Sequence, residues 1–190
     1  MKLLLFLTAC ASALVVTATA SAGAPQPAQD PFAADAFAPF AIQSLTATQA
    51  RKLGVPAAFL PGTRHDRGER QSPDALSPCG ACINTCWTST YRAGASTSTG
   101  DYFENASPVW CGNGSWITYA DITRHWQSVT MWYSADGDSG PWFDGGCAGC
   151  SSIHFSLYGN FSWHPPILPV SHHFVYLGVW LQAYGAASYG

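Results

Sequence analysis

Six cysteines in the C-terminal part of the chain constrain its fold more than any other feature. The chain has seven cysteines. The six that follow residue 78 are Cys79, Cys82, Cys86, Cys111, Cys147 and Cys150. An even number of cysteines in an exported protein indicates a disulfide framework, so we expect three disulfides, although spacing alone does not choose among the pairings.

Export is predicted from the first 22 residues. Lys2 is followed by the apolar stretch Leu3–Leu7, and the segment ends in Ala20-Ser21-Ala22. A basic start, an apolar centre and an Ala-x-Ala exit form the pattern of a cleaved secretory signal. We therefore predict a signal peptide over residues 1–22 and a secreted, extracellular protein with no stable membrane span after cleavage. A lipobox ending at Cys10 is a weaker alternative, because too few apolar residues precede it.

Residues 23–78 are rich in Ala and Pro and contain no Trp or Tyr. Such a segment buries too little apolar surface to offset the entropy lost on ordering, so we predict that most of it is flexible. The exception is one short helix near residues 46–53, where Thr46-Ala47-Thr48-Gln49 matches a capping box.

The end of this segment carries a mixed-charge cluster between Arg64 and Arg70. Charged runs are typical of solvated linkers. Proteolytic processing at Arg67 or Arg70 is the alternative, since exposed polar linkers are preferred cleavage sites. On either interpretation the folded, Cys- and Trp-rich domain covers residues 79–190.

Alternating apolar residues in this domain predict β-strands. Residues 152–158 place Ile153, Phe155 and Leu157 on one face, and residues 174–183 are apolar on both faces, as in a central strand. Asn113-Gly114 is a strong hairpin signal. Further strands are predicted near residues 83–92, 101–111, 115–122, 126–134 and 159–164. Seven short strands separated by turns indicate an all-β fold, an antiparallel β-sandwich or jelly roll, and no sequence repeat of fixed period is visible.

Three short motifs lie in the domain: Trp110–Thr118, Cys147-Ala148-Gly149-Cys150 and Tyr158–Trp163. Together they resemble a group of uncharacterised secreted proteins of actinomycetes. The resemblance implies export and a disulfide-bonded β fold. It implies no activity and no catalytic residues.

The charge balance of the domain excludes one class of partner. Only two basic residues, Arg92 and Arg124, follow Cys79, against six acidic residues. Nucleic-acid binding requires the opposite balance, so nucleic acid is excluded as the main partner. A secreted toxin or bacteriocin-like protein remains an alternative, but the domain lacks the basic amphipathic helix that anionic membranes attract.

One motif resembles a catalytic segment. Gly137–Pro141 is similar to the segment around the nucleophilic serine of trypsin-like proteases, with Ser139 in the serine position. The Gly that precedes the Pro in that family is missing, and His125 is the only histidine of the domain that precedes Ser139. We therefore interpret the motif as a surface turn and predict no catalytic residues.

Metal-binding patterns are similarly weak. Asp136, Asp138 and Asp144 could supply oxygen ligands to Ca²⁺, but the rest of an EF-hand loop is missing and an acidic turn explains them. The two Cys-x₂-Cys pairs are too far apart for a zinc ribbon. The scattered histidines are His154, His164, His172 and His173. We predict no metal and no cofactor.

Six tryptophans are candidate binding residues: Trp110, Trp116, Trp126, Trp132, Trp142 and Trp163. A domain of this size cannot bury all of its aromatic side chains, and exposed rings suit sugar rings or the anchor pockets of a protein partner. Burial in the core is the competing interpretation. We predict a non-enzymatic extracellular binding role, with polysaccharide or protein as the partner. The alternative is a small secreted hydrolase whose site is assembled from distant residues.

Overall fold

The computed structural model describes residues 41–64 and 82–190. The predicted signal peptide, Cys79 and the processing sites at Arg67 and Arg70 lie outside these ranges. In the part of the chain that is described, no helix has the length and apolar character needed to cross a bilayer.

The described residues form ten strands, one α-helix and one 3₁₀ turn. In chain order they are β1 Gln43–Leu45, α1 Ala47–Lys52, the 3₁₀ turn Ala57–Phe59, β2 Thr85–Thr88, β3 Tyr91–Thr97, β4 Gly100–Gly112, β5 Ile117–Val129, β6 Tyr133–Asp138, β7 Trp142–Gly146, β8 Ser152–Trp163, β9 Ser171–Gln182 and β10 Ala187–Tyr189. The strands make two antiparallel sheets. The predicted all-β, disulfide-bonded sandwich is therefore confirmed.

Both sheets have the same plan, built around one long central strand. In sheet I, β5 pairs with one edge of β4, and the shorter β2 and β3 pair end to end along the other edge. In sheet II, β9 pairs with one edge of β8, while β6 and β7 pair end to end along the other. β1 adjoins β2, and β10 adjoins β9. The unit β2–β5 is thus repeated in topology as β6–β9, a repeat that the sequence does not reveal.

The main core lies between the sheets. Trp110 and Tyr91 of sheet I pack in one buried cluster with Phe155, Phe161 and Leu177 of sheet II. Along β8 and β9, alternate residues enter this core, and because side chains alternate across a strand, the intervening residues point to the outer face. The alternation predicted for both strands is confirmed.

Residues 41–64 pack on the opposite face of sheet I. β1 pairs with β2, and Thr46 caps α1 through the capping box that its sequence predicts. The buried apolar cluster on this face contains Leu45, Ala50, Val55, Leu60, Cys86, Val109 and Cys111. Four buried apolar side chains thus hold residues 41–64 against sheet I. The predicted flexibility is therefore wrong for these residues, and the folded domain, which was predicted to begin at Cys79, includes them as well.

Two disulfides are described, Cys86–Cys111 and Cys147–Cys150. Cys82 is also disulfide-bonded. Cys86–Cys111 joins directly opposed residues of β2 and β4, whereas Cys147–Cys150 closes the turn before β8. A disulfide sulfur is not a thiolate ligand, so these cysteines do not form a zinc site.

We expect residues 41–64 to remain bound after the chain is cut between them and β2. The chain has only two Glu residues, Glu69 and the buried Glu104, so a protease specific for Glu should cleave the native protein after Glu69 alone. The two fragments should then coelute in gel filtration under native, non-reducing conditions and appear as two separate masses in mass spectrometry of the denatured peak. Loss of the N-terminal fragment would contradict the packing of β1 and α1 on sheet I.

Candidate functional site

The outer face of sheet II carries a row of aromatic side chains. Tyr158 of β8 lies at its centre, with its ring centroid 5.1 Å from that of Trp142 of β7. The Phe174 and Tyr176 rings of β9 lie 4.9 Å and 5.0 Å from Tyr158. Phe174 is 55% exposed and Tyr176 is 37% exposed. These four side chains are called the aromatic face.

Two β-bulges place an aspartate beside the aromatic face. The pairing of β7 with β8 shifts between Phe143 and Gly145, which leaves Asp144 as the extra residue. The pairing of β6 with β8 shifts between Ala135 and Gly137, which leaves Asp136. A bulge redirects the side chain of its extra residue, and both carboxylates contact polar side chains of β8.

Asp144 is the centre of the first polar cluster. Its Oδ2 accepts a hydrogen bond from Ser156, and its Oδ1 contacts Nδ1 of His154. Ser156 Oγ lies 3.0 Å from the Tyr176 hydroxyl, which joins the cluster to the aromatic face, and the Trp180 ring packs on His154 at 4.7 Å. Burial opposes ionisation, but the hydrogen bonds from Ser156 and His154 outweigh it and hold the pKa of Asp144 below its usual value. The carboxylate is therefore a fixed, charged acceptor.

Asp136 is the centre of the second polar cluster. Its Oδ2 accepts a hydrogen bond from Ser162, whose Oγ lies 2.9 Å from Nδ1 of His172. Ser134 bonds to the Asp136 Oδ1 at 3.3 Å and to Nε2 of His164 at 2.9 Å. The hydrogen bond from Ser162, ahead of that from Ser134, lowers the pKa of Asp136. This cluster is more open to solvent than the first, since the His172 side chain is 79% exposed.

The two polar clusters have the same composition and share the strand β8. Each contains a bulge aspartate, a serine of β8 and a histidine. Ser156 and Ser162 are separated by roughly 20 Å along the strand, at about 3.3 Å per residue, with Tyr158 between them. A ligand that contacts both clusters must therefore be elongated and must cross the aromatic face.

Neither cluster has the arrangement of a Ser-His-Asp triad. In a triad the two nitrogens of the histidine contact the serine and the aspartate separately. In the first cluster Asp144 lies between Ser156 and His154. In the second, the Nδ1 of His172 faces both Ser162 and Asp136, at 2.9 Å and 3.8 Å.

The protease-like motif also lacks a triad. The Ser139 hydroxyl donates to the carbonyl of Gly140 and accepts from the backbone N–H of Tyr158. Asp138 accepts from the N–H of Gly140 and lies 3.4 Å from His125. These are the bonds of a surface turn, as the sequence interpretation expects.

The acidic side chains proposed for Ca²⁺ point to separate partners. Asp136 and Asp144 belong to different clusters, and Asp138 faces His125. Across residues 41–64 and 82–190, no group of three or more His, Cys, Asp or Glu side chains is arranged to hold a metal ion.

Only one of the six candidate tryptophans, Trp142, belongs to the aromatic face. Trp110 is fully buried in the core, where its indole N–H donates to the carbonyl of Gln182 at 3.2 Å. This corrects its assignment as a binding residue, because a side chain enclosed between the sheets cannot meet a ligand.

The other four candidates lie away from the aromatic face. Trp126 is on β5, with the guanidinium of Arg124 4.6 Å from its ring, and Trp116 is in the β4–β5 hairpin. Trp132 and Trp163 pack together at one end of the sandwich, with ring centroids 6.4 Å apart.

The sequence does not distinguish the central members of the site as binding residues. Phe174 and Tyr176 belong to the second apolar face that the sequence shows in β9, which suggested burial on both sides. β9 does lie between β8 and β10, but its second face is open to solvent. The sequence feature that indicates these two rings is their regular alternation with core residues such as Val175 and Leu177, which places both rings on the face of β9 away from the core.

No family model, curated protein or solved structure matches this chain. Its function is therefore inferred from the geometry of the aromatic face and the two polar clusters.

Proposed function

We propose that the protein is an exported, non-catalytic binding protein whose aromatic face binds an extracellular polysaccharide. The observation that carries the proposal is a row of partly exposed rings flanked by fixed hydrogen-bonding groups on one side of a sheet. The disulfides support an extracellular location, because such bonds persist in oxidising environments.

The chemistry of a sugar matches this surface. A pyranose ring has an apolar face of C–H groups, which can pack on an aromatic ring, and hydroxyls at its edge, which bond to carboxylate and imidazole groups. Phe174 and Tyr176 supply exposed ring surface, and Asp136 and Asp144 supply charged acceptors with lowered pKa. Both carboxylates are held by hydrogen bonds, so little side-chain entropy is lost when a ligand binds.

The charges narrow the class of polysaccharide. No Lys or Arg follows Arg124 in the sequence, so strands β6 to β10 offer no permanently charged cation to a sulfate or uronate group, and the histidines of the two polar clusters already face Asp136 and Asp144. The two aspartates would repel such groups. We therefore expect an uncharged polysaccharide, bound along β8 so that several consecutive sugar units cross the aromatic face.

The substitution Phe174→Ser tests this proposal directly. Phe174 is exposed and contacts Tyr158 at the surface, so the variant should fold normally. Its affinity for uncharged plant and cell-wall polysaccharides should fall about five- to tenfold, because a stacked ring contributes about 1 kcal/mol. Depletion from solution by insoluble polysaccharide measures the change.

Tyr184→Ser is the matched control. Tyr184 is 66% exposed and lies between β9 and β10, outside the aromatic face, so its replacement should leave polysaccharide affinity unchanged. Equal losses in both variants, or no binding of the unmodified protein to any polysaccharide, would refute the proposal. Release of new reducing ends from a bound polysaccharide would instead support the hydrolase alternative.

A further inference from the structure

One end of the sandwich is formed by uncharged loops. Residues 130–132 connect β5 to β6, and residues 164–170 connect β8 to β9. The two loops are joined by a hydrogen bond from the N–H of His164 to the carbonyl of Trp132, 2.7 Å long. They therefore form one continuous surface.

Large apolar side chains project from this surface. Ile167 is 93% exposed, Met131 is 73% exposed and Leu168 is 58% exposed. Val170 and Trp132 are also exposed. These five side chains are called the apolar tip. Exposed aliphatic side chains grouped on adjoining loops usually mark a site of interaction.

The polar groups of the two loops are unusually few. Residues 130–132 and 164–170 contain no Asp, Glu, Lys or Arg. Pro165, Pro166 and Pro169 have no backbone N–H, so fewer donors lose water when the loop leaves the aqueous phase. The Nε2 of His164 is already bonded to Ser134. The loops are thus suited to an environment that offers neither charges nor many hydrogen-bond partners.

We propose that the apolar tip inserts into the surface of an uncharged lipid bilayer. Ile167, Leu168 and Met131 would enter the acyl region, and Trp132, whose ring packs against that of Trp163, would occupy the headgroup boundary that tryptophan favours. The acidic balance of the domain disfavours anionic lipid, and the uncharged loops need no cation or anion from the partner. The loops of the apolar tip share His164 with the second polar cluster, but the apolar tip contains no residue of the aromatic face, so the inference does not depend on polysaccharide binding.

Sedimentation with phosphatidylcholine vesicles tests the inference. The unmodified protein should sediment with the vesicles, and its binding should be nearly the same in about 0.1 M and about 1 M NaCl, because screening weakens only charged contacts. The double variant Ile167→Ser/Leu168→Ser should bind at least about tenfold more weakly, since two aliphatic side chains no longer leave water. Tyr184→Ser should bind like the unmodified protein.

Three outcomes would overturn the inference. The first is no sedimentation of the unmodified protein with phosphatidylcholine. The second is binding to anionic vesicles alone, with loss in high salt. The third is a dimer in the absence of lipid that the double variant converts to a monomer, which would make the apolar tip an interface with a second copy. Near-ultraviolet circular dichroism should show that the variants keep the native fold, and Ile167→Ser alone provides a second test if the double variant does not.

Discussion

Replacing both Cys86 and Cys111 by alanine should lower the free energy of unfolding by about 3 to 4 kcal/mol. The disulfide closes a loop with a sequence separation of 25, and its loss gives the unfolded chain many additional conformations. Small domains are stable by only about 5 to 15 kcal/mol, so this change should shift the unfolding transition substantially.

The position of Cys86–Cys111 adds to this effect. Both cysteines are fully buried in the apolar cluster under residues 41–64. Removal of the sulfur atoms would leave a void beside Leu60 and Val109, and buried voids destabilise a fold. We therefore expect β1 and α1 to become protease-sensitive first.

The second described disulfide provides the control. Cys147–Cys150 has a sequence separation of only 3, so the double alanine variant at these positions should lose about 2 kcal/mol or less. Urea unfolding of both variants beside the unmodified protein measures the difference. Equal losses, or a larger loss for the Cys147–Cys150 pair, would contradict the greater contribution to stability expected of Cys86–Cys111.

The sequence predicts those parts of the fold that depend on local pattern. The alternation of Ile153, Phe155 and Leu157 locates β8, and the Asn113-Gly114 turn locates the β4–β5 hairpin, where Gly112 pairs with Ile117. The strands β1, β7 and β10 are shorter than six residues and have too little alternation to be recognised. The packing of residues 41–64 on sheet I is not predictable from the sequence, because the four buried side chains of this segment are dispersed among Ala and Pro residues and form no periodic pattern.

The candidate site depends on contacts between distant residues, which the sequence does not display. The sequence offers Asp136 and Asp144 as weak candidates for Ca²⁺ binding and favours their interpretation as members of an acidic turn. Their positions depend on bulges, and a bulge is defined by pairing with β8, about 10 residues further along the chain for Asp144 and about 25 for Asp136. Residue type alone makes the tryptophans candidates for binding. The exposed rings of the site, Phe174 and Tyr176, are distinguished instead by the side of the sheet on which they lie, and residue type does not predict this.

A buried carboxyl group between the sheets should make stability depend on pH. Glu104 of β4 is fully buried, and Gly159 of β8 leaves the space for it, because a Cβ at that position would lie 2.2 Å from Oε2 of Glu104. Burial raises the pKa of Glu104 from 4.5 to about 7. The Gln127 side chain opposes this rise and the nearby Asp138 charge adds to it. The Gln127 Nε2 group also donates hydrogen bonds to the carbonyls of Gly137 and Asn160. Its N–H groups are therefore largely used, and the hydrogen bonding that they can give to the Glu104 carboxylate is weak.

The direction of the effect follows from the raised pKa. The folded protein holds the proton of Glu104 more tightly than the unfolded chain does, so this contribution to stability is fully present below pH 4.5 and is lost as the pH rises to about 7. A shift of this size corresponds to about 3 kcal/mol. Burial of Glu104 therefore makes the protein less stable at pH 8 than at pH 5, which is opposite in sign to the contributions of Asp136, Asp144 and His173, whose lowered pKa values make stability rise with pH.

The substitution Glu104→Gln should remove this dependence, because glutamine has a similar shape and no charge to bury. At pH 8 the variant should be more stable than the unmodified protein by about 3 kcal/mol, and near pH 4.5 the two should be nearly equal. Asp101→Asn, on the same strand but partly exposed, is the matched control and should keep the pH dependence of the unmodified protein. Urea unfolding of the three proteins from pH 4.5 to 8 gives the comparison. A Glu104→Gln variant that is less stable than the unmodified protein at pH 8 would show that the charged carboxylate has a stabilising partner, and the proposed cost of burying its charge would be wrong.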